Sequence, residues 1–143
     1  MHLKSIDQIG FKTLIITTLI IFTSCSKKEQ VTFYDKSLKS KKLTCLSFNP
    51  IKSGKLEKKL SSLYKFDKNC KNILNLSYKS QIVCNSPYNA PQKTTTNFPN
   101  AYLNLEVKRG FNLLYSYYID LTRKPSASDV EDAFNRLKED ILK

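Results

Sequence analysis

An α+β fold, with one four-stranded mixed sheet and two helices on one of its faces, follows from three features of this chain. Apolar residues alternate at period two over 101–107 and 111–121, as in strands with one buried face. Apolar residues recur at helical spacing over 55–66 and again over 129–142. The resulting order, strand, helix, strand, strand, strand, helix, packs naturally as a single sheet backed by both helices.

Each element has a local reason. Residues 43–48, Leu-Thr-Cys-Leu-Ser-Phe, read as a buried strand stopped by Asn49-Pro50. Over 55–66, Leu56, Leu60 and Leu63 fall on one helix face behind a Ser53 N-cap. Over 73–85, Leu74, Leu76, Tyr78, Ile82 and Cys84 share one parity, while Asn75, Ser77, Lys79 and Gln81 take the other. The first strand-helix-strand unit is expected to be parallel. In the hairpin, Ala101, Leu103, Leu105 and Val107 match Phe111, Leu113, Tyr115, Tyr117, Ile119 and Leu121. Setting Val107 opposite Phe111 leaves the loop Lys108-Arg109-Gly110, with glycine at the left-handed position. The last helix, 129–142, has Ser128 and Glu131 in a capping-box relation and a stripe of Val130, Ala133, Phe134, Leu137 and Ile141. Residues 26–42 are polar and lysine-rich and read as a tether, in which Val31 to Tyr34 can add a short edge strand. Residues 86–99 hold three prolines and three threonines and read as a long loop, a length usually functional or disordered.

The N-terminus has the three parts of an export signal: a polar head with Lys4 and Lys12, a short apolar block over 14–22, and small Thr23-Ser24. A membrane-crossing helix needs about 20 apolar residues, and Lys12 interrupts this stretch. Cys25 directly after the small residues resembles the lipobox of bacterial lipoproteins, with Phe22 where that pattern usually has Leu. The resemblance implies cleavage before Cys25, a diacylglyceryl group on its sulfur and an acyl chain, palmitate for instance, on its amine. It therefore implies contact with a membrane through an N-terminal lipid anchor. Ser26 in place of Asp resembles an outer-membrane address, facing the periplasm. The expected organisation is a signal peptide over 1–24, a lipidated tether over 25–42 and an α+β domain over 43–143.

Residues 25–143 suffice for one domain and not for two. Their charge is uneven. Residues 25–93 hold 15 Lys and 4 Asp or Glu, whereas residues 94–143 hold 7 basic and 7 acidic side chains. The whole positive excess lies in the first half, which suggests an anionic partner there. For an exported chain the candidates are phospholipid or lipopolysaccharide headgroups and acidic polymers, and no nucleic acid is expected. A lysine-rich surface in an AT-rich genome accounts for the same excess. The element order above resembles that of the lipopolysaccharide-assembly lipoproteins, and that resemblance implies Lys52, Lys55, Lys58, Lys59 and Lys79 as the first candidates for anionic-lipid contacts, on lipid A phosphates.

An oxidising compartment allows one disulfide among Cys45, Cys70 and Cys84. On one straight strand Cys70 and Cys84 would stand ~45 Å apart, against the ~7 Å limit between bridged α-carbons. Cys45–Cys70, which brackets the first helix, is the expected pair. No cysteine pair has the short spacing of a zinc site, and no metal or cofactor is expected.

The single histidine, His2, lies in the export signal. Ser-His-Asp and Cys-His catalysis therefore have no candidate in the domain. Glycine occurs there only at 54 and 110, too sparse for a phosphate loop. Glu57 and Asp67 read as solvated, and Glu106 and Asp120 lie on the wet parity of the hairpin. Tyr115 and Tyr117 read as core, and Tyr118, on the outward parity, as a contact residue. No catalytic residue is expected.

With its anchor, the element order resembles that of the lipopolysaccharide-assembly lipoproteins, which have a sheet backed by two helices, plug a barrel partner and contact lipopolysaccharide. The resemblance implies an accessory subunit of an outer-membrane assembly or transport complex. It carries no diagnostic residue motif, and three further cysteines are foreign to that pattern. The alternative is a structural or secretion-system lipoprotein that meets a protein partner through the free sheet face or the 86–99 loop.

Overall fold

The computed structural model describes residues 29–50, 53–82 and 99–143. Cys25, Lys52, Cys84 and nearly all of the 86–99 loop lie outside the described residues. The chain forms β1 (Glu29–Phe33), a 3-10 turn (Lys36–Lys39), β2 (Ser47–Phe48), α1 (Lys55–Leu63), β3 (Asn72–Lys79), β4 (Ala101–Arg109), β5 (Asn112–Leu121) and α2 (Ala127–Ile141). The sheet has five strands in the order β1-β5-β4-β3-β2, one more than the four expected. β2 pairs parallel to β3, and the other pairs are antiparallel.

The additional strand arises inside the stretch read as a tether. Glu29 to Phe33 pair with Ile119 to Tyr115, and Leu38 of the 3-10 turn is buried in the core. Tyr34 and Asp35 both donate backbone N–H to the Leu114 carbonyl, at 3.0 and 3.1 Å. The folded body thus begins by Glu29, not at residue 43.

The strand expected over 43–48 shrinks to Ser47–Phe48 because its other backbone groups are taken elsewhere. Leu43 N–H donates to the Ile141 carbonyl at 2.7 Å, and its carbonyl accepts from Lys143 N–H at 3.0 Å. Leu46 carbonyl accepts from Asp67 N–H at 2.9 Å. These bonds tie the chain before α1 to the C-terminus and to the turn after α1.

α1 stops at Leu63 rather than Phe66, and Tyr64 is extended. The unwound residues deliver rings to the core. Tyr64 and Phe66 each pack on Phe134 of α2, with centroids 5.9 and 6.1 Å apart. Phe66 also meets Phe48 at 5.4 Å. Tertiary packing here overrides local helix preference. The N-cap is Gly54, without a side-chain cap, in place of Ser53.

The hairpin keeps the expected inward face over 101–107 and 115–121 in a different register, whereas Phe111 is exposed, Leu113 falls on the opposite parity and Leu114 is buried instead. Ala101, Leu103, Leu105 and Val107 oppose Leu121, Ile119, Tyr117 and Tyr115, and all eight are buried. The turn is the two-residue Gly110-Phe111 between Arg109 and Asn112, with Gly110 at φ +59° as a type II′ turn requires. Leu114 is an extra, bulged residue between the Val107–Tyr115 and Lys108–Leu113 pairs. The bulge absorbs the parity break that a two-residue turn would otherwise impose, and it leaves Phe111 fully exposed.

α2 begins two residues earlier than expected. Ser126 is its N-cap, in a capping box with Asp129. Tyr78 and Tyr115 share the inward parity of the sheet, and they reach Glu57 of α1 and Asp140 of α2 respectively. The opposite face carries Asn75, Ser77, Tyr102, Asn104, Glu106, Ser116 and Tyr118, all exposed or half-buried.

Candidate functional site

Where β3 begins, the Cys45–Cys70 disulfide joins the chain on either side of α1, with α-carbons 6.0 Å apart. This is the expected pair. Asn72, buried at the first position of β3, organises the surroundings. Its Nδ2 donates to the Cys45 carbonyl at 3.2 Å and lies 3.6 Å from Cys70 Sγ. Its Oδ1 accepts from Arg109 Nε at 2.9 Å. The disulfide, one amide and the hairpin end therefore hold one guanidinium in place.

That guanidinium lines a cavity of about 320 Å³ beneath the 3-10 turn, together with Asp35, Ser37, Lys41, Lys42 and Asn72. Asp35 accepts from Ser37 N–H at 2.9 Å and Ser37 Oγ at 2.6 Å. These bonds first, and the Arg109 charge last, hold its carboxyl below the usual range. Lys42 Nζ donates to the Glu139 carbonyl at 2.7 Å, at the negative end of α2. Three cations, Lys41, Lys42 and Arg109, line it against the single carboxylate of Asp35. A planar guanidinium fixed through Nε suits phosphate or carboxylate geometry.

The lysines singled out from sequence do not form one patch. Lys55 and Lys58 are exposed on α1. Lys59 pairs with Glu131 of α2 at 2.9 Å. Lys79 is exposed at the end of β3, on the parity opposite Tyr78, so it belongs to the other sheet face. Lys52 and Cys25 lie outside the described residues.

A second site lies where α1 meets β2 and β3. Glu57, read from sequence as solvated, is 9% exposed. Tyr78 hydroxyl donates to its Oε1 at 3.1 Å. Burial, then this bond, push the Tyr78 phenol up. Oε2 has no hydrogen-bond partner among the described residues. The carboxylate sits in the first turn of α1, where the helix dipole favours it. A Cβ at residue 54 would overlap Oε2, so glycine is what lets the carboxylate fold back on the helix start.

The outward sheet face is a polar network. Tyr102 and Tyr118 stack with centroids 5.7 Å apart. Tyr118 donates to Asp120 at 2.8 Å, which with burial raises its phenol, and Ser116 donates to Asn104 at 3.1 Å. Tyr115 and Tyr117 are core residues, as expected, with hydroxyls donating to Asp140 at 2.8 Å and Glu29 at 3.1 Å. Burial and those acceptors push both phenols far above their ordinary range.

Sequence reading missed Asn72, Arg109 and Glu57 as site residues. Arg109 looked like a loop residue, and Asn72 lay just before the assigned strand. Glu57 follows Leu56 off the leucine stripe, so its burial comes from Tyr78 closing over it. The inward parity of Tyr78 was the only signal available. Among the described residues no group of three or more His, Cys, Asp or Glu could hold a metal ion, and no helix is long and apolar enough to cross a membrane. Comparison with family models, curated proteins and solved structures found no match.

Proposed function

We propose that this chain is a non-catalytic envelope lipoprotein, anchored by lipid at Cys25, which holds an anionic group of its partner between Arg109 of β4 and the lysines of its basic N-terminal half. An accessory role in an outer-membrane assembly or transport complex fits that reading, with lipopolysaccharide or phospholipid as the anionic component. The observation that carries the binding half is the Arg109 guanidinium fixed by Asn72 at the rim of a cavity shared with Lys41 and Lys42. The export-signal pattern before Cys25 and a disulfide suited to an oxidising compartment support the location.

The anchor would be short. Four Cα steps from Cys25 to Glu29, the first residue of β1, reach at most ~14 Å. The folded body would then ride close to the bilayer, with the β1 start nearest. Phe33, at the far end of β1, leads into the turn that roofs the basic cavity. Anchor and cavity would therefore lie at opposite ends of the sheet.

Capture on immobilised lipopolysaccharide tests the reading. Lys41→Glu with Arg109→Gln should abolish capture, while Lys55→Glu with Lys58→Glu should leave most of it. The reverse pattern would move the contact to α1. Capture unchanged by either pair would favour the second reading, a structural or secretion-system lipoprotein docking a protein. The stacked Tyr102 and Tyr118 on the uncovered sheet face are what favour that alternative.

A further inference from the structure

The Glu57 cavity points to a second ligand of opposite charge. We propose that it binds a small organic amine: a protonated ammonium on an apolar body, held by Glu57 Oε2. The cavity is about 270 Å³ and is lined by Phe48, Pro50, Leu74, Asn75 and Leu76 beside Glu57. Its walls are mostly aliphatic or aromatic carbon, suited to a short hydrocarbon. Among the described residues its one charged lining group is the carboxylate. That carboxylate is more than nine-tenths buried, and only one of its oxygens is satisfied, by Tyr78.

A buried carboxylate oxygen without a donor is costly, and native proteins rarely leave one. The dipole of α1 offsets part of that cost and supplies no hydrogen bond here. An N–H donor from a ligand supplies the missing partner and is charge-assisted. A neutral alcohol of the same shape would gain much less. An anion would meet repulsion, which separates this cavity from the basic one beneath the 3-10 turn. Gly54 and Tyr78 are positioning residues: the first leaves room for the carboxylate, and the second fixes its other oxygen.

The probe is phenethylamine, added to the full-length protein in detergent and followed by isothermal titration and tyrosine-edited NMR. Saturable binding should perturb Tyr78, and 2-phenylethanol should bind at least about tenfold more weakly, the factor lost with one charge-assisted hydrogen bond. Glu57→Gln should erase the difference between the two compounds while the melting temperature holds. If Glu57→Gln does not fold, Leu76→Phe, which narrows the cavity and keeps the carboxylate, should weaken the amine by a comparable factor. Equal binding of amine and alcohol to the native protein, or unchanged amine affinity in both variants, overturns the proposal. Amine binding that appears only in Lys52→Ala also overturns it, because the chain's own lysine would then fill the place assigned to a ligand.

Discussion

The two halves of this sheet share one core and handle charge in different ways. In the half built from β4, β5 and α2, four carboxylates find partners close by. Asp129 takes a two-pronged pair from Arg123 at 2.6 and 2.7 Å. Asp140 accepts from Tyr115 and Arg136, Glu106 from Lys108 and Asn104, and Asp120 from Tyr118. In the half built from β1 to β3 and α1, the net charge is strongly positive, one buried carboxylate oxygen lacks a donor, and two cavities of opposite character open. That half is also the one stapled by a disulfide. The contrast separates a self-satisfied scaffold from a surface that keeps unspent polar groups for something else.

Breaking the scaffold should have the largest effect. Phe134 is buried on α2 against Tyr64 and Phe66, so it joins both halves. Phe134→Ala should cost about 3–5 kcal/mol in a urea melt, enough to unfold much of a marginal domain. Removing the staple comes next. The bridge closes a loop spanning 25 positions, and Cys45→Ser with Cys70→Ser should cost roughly 3 kcal/mol by chain entropy. Hydrogen exchange should then rise first in α1 and at the start of β3, and least in β4 and β5.

Acid sharpens the comparison from the other side. Burial pushes the Asp129 carboxyl up, but hydrogen bonds from Arg123 and Ser126 outweigh it and hold it at about 2, against 3.8 unperturbed. A carboxyl lowered by folding stabilises the fold fully above its unfolded pKa, and that stability is lost as pH falls through the folded value. Unfolding free energy should therefore drop by about 2 kcal/mol between about pH 4 and pH 2. Asp129→Asn should be less stable at neutral pH and should lack this part of the acid slope. The smallest effect belongs to the turn. Gly110→Ala places a side chain at φ +59° in open space, so only backbone strain acts, roughly 1 kcal/mol.

What could be read from sequence divides along the same line. In β4, β5 and α2 the apolar period is clean, and faces, helix and core residues follow from it. The register was missed because the bulge at Leu114 is a backbone device that leaves the alternation of Tyr115 to Leu121 intact. The α2 cap shifted because Ser126 and Ser128 are both good caps, and Arg123 selects Asp129 as the paired residue. In the basic half, short strands and tertiary hydrogen bonds dominate. Nothing local marks Leu43 for the C-terminus, and of β1 only the apolar run from Val31, inside a lysine-rich stretch, gave an edge-strand signal. The disulfide was legible because Cys45 and Cys70 bracket the first helix, whereas the Asn72–Arg109 contact spans 37 positions and has no pattern to announce it.

The central claim is that the polypeptide is cut before residue 25 and carries fat on that cysteine, which holds the folded body close to a membrane. Mass spectrometry of the N-terminal peptide, from native protein extracted out of cell membranes, addresses it directly. The account predicts a peptide starting at Cys25, heavier by a diacylglyceryl group and an amide-linked acyl chain. A peptide starting at Met1, or an unmodified Cys25 on protein recovered from the cytosol, would contradict it.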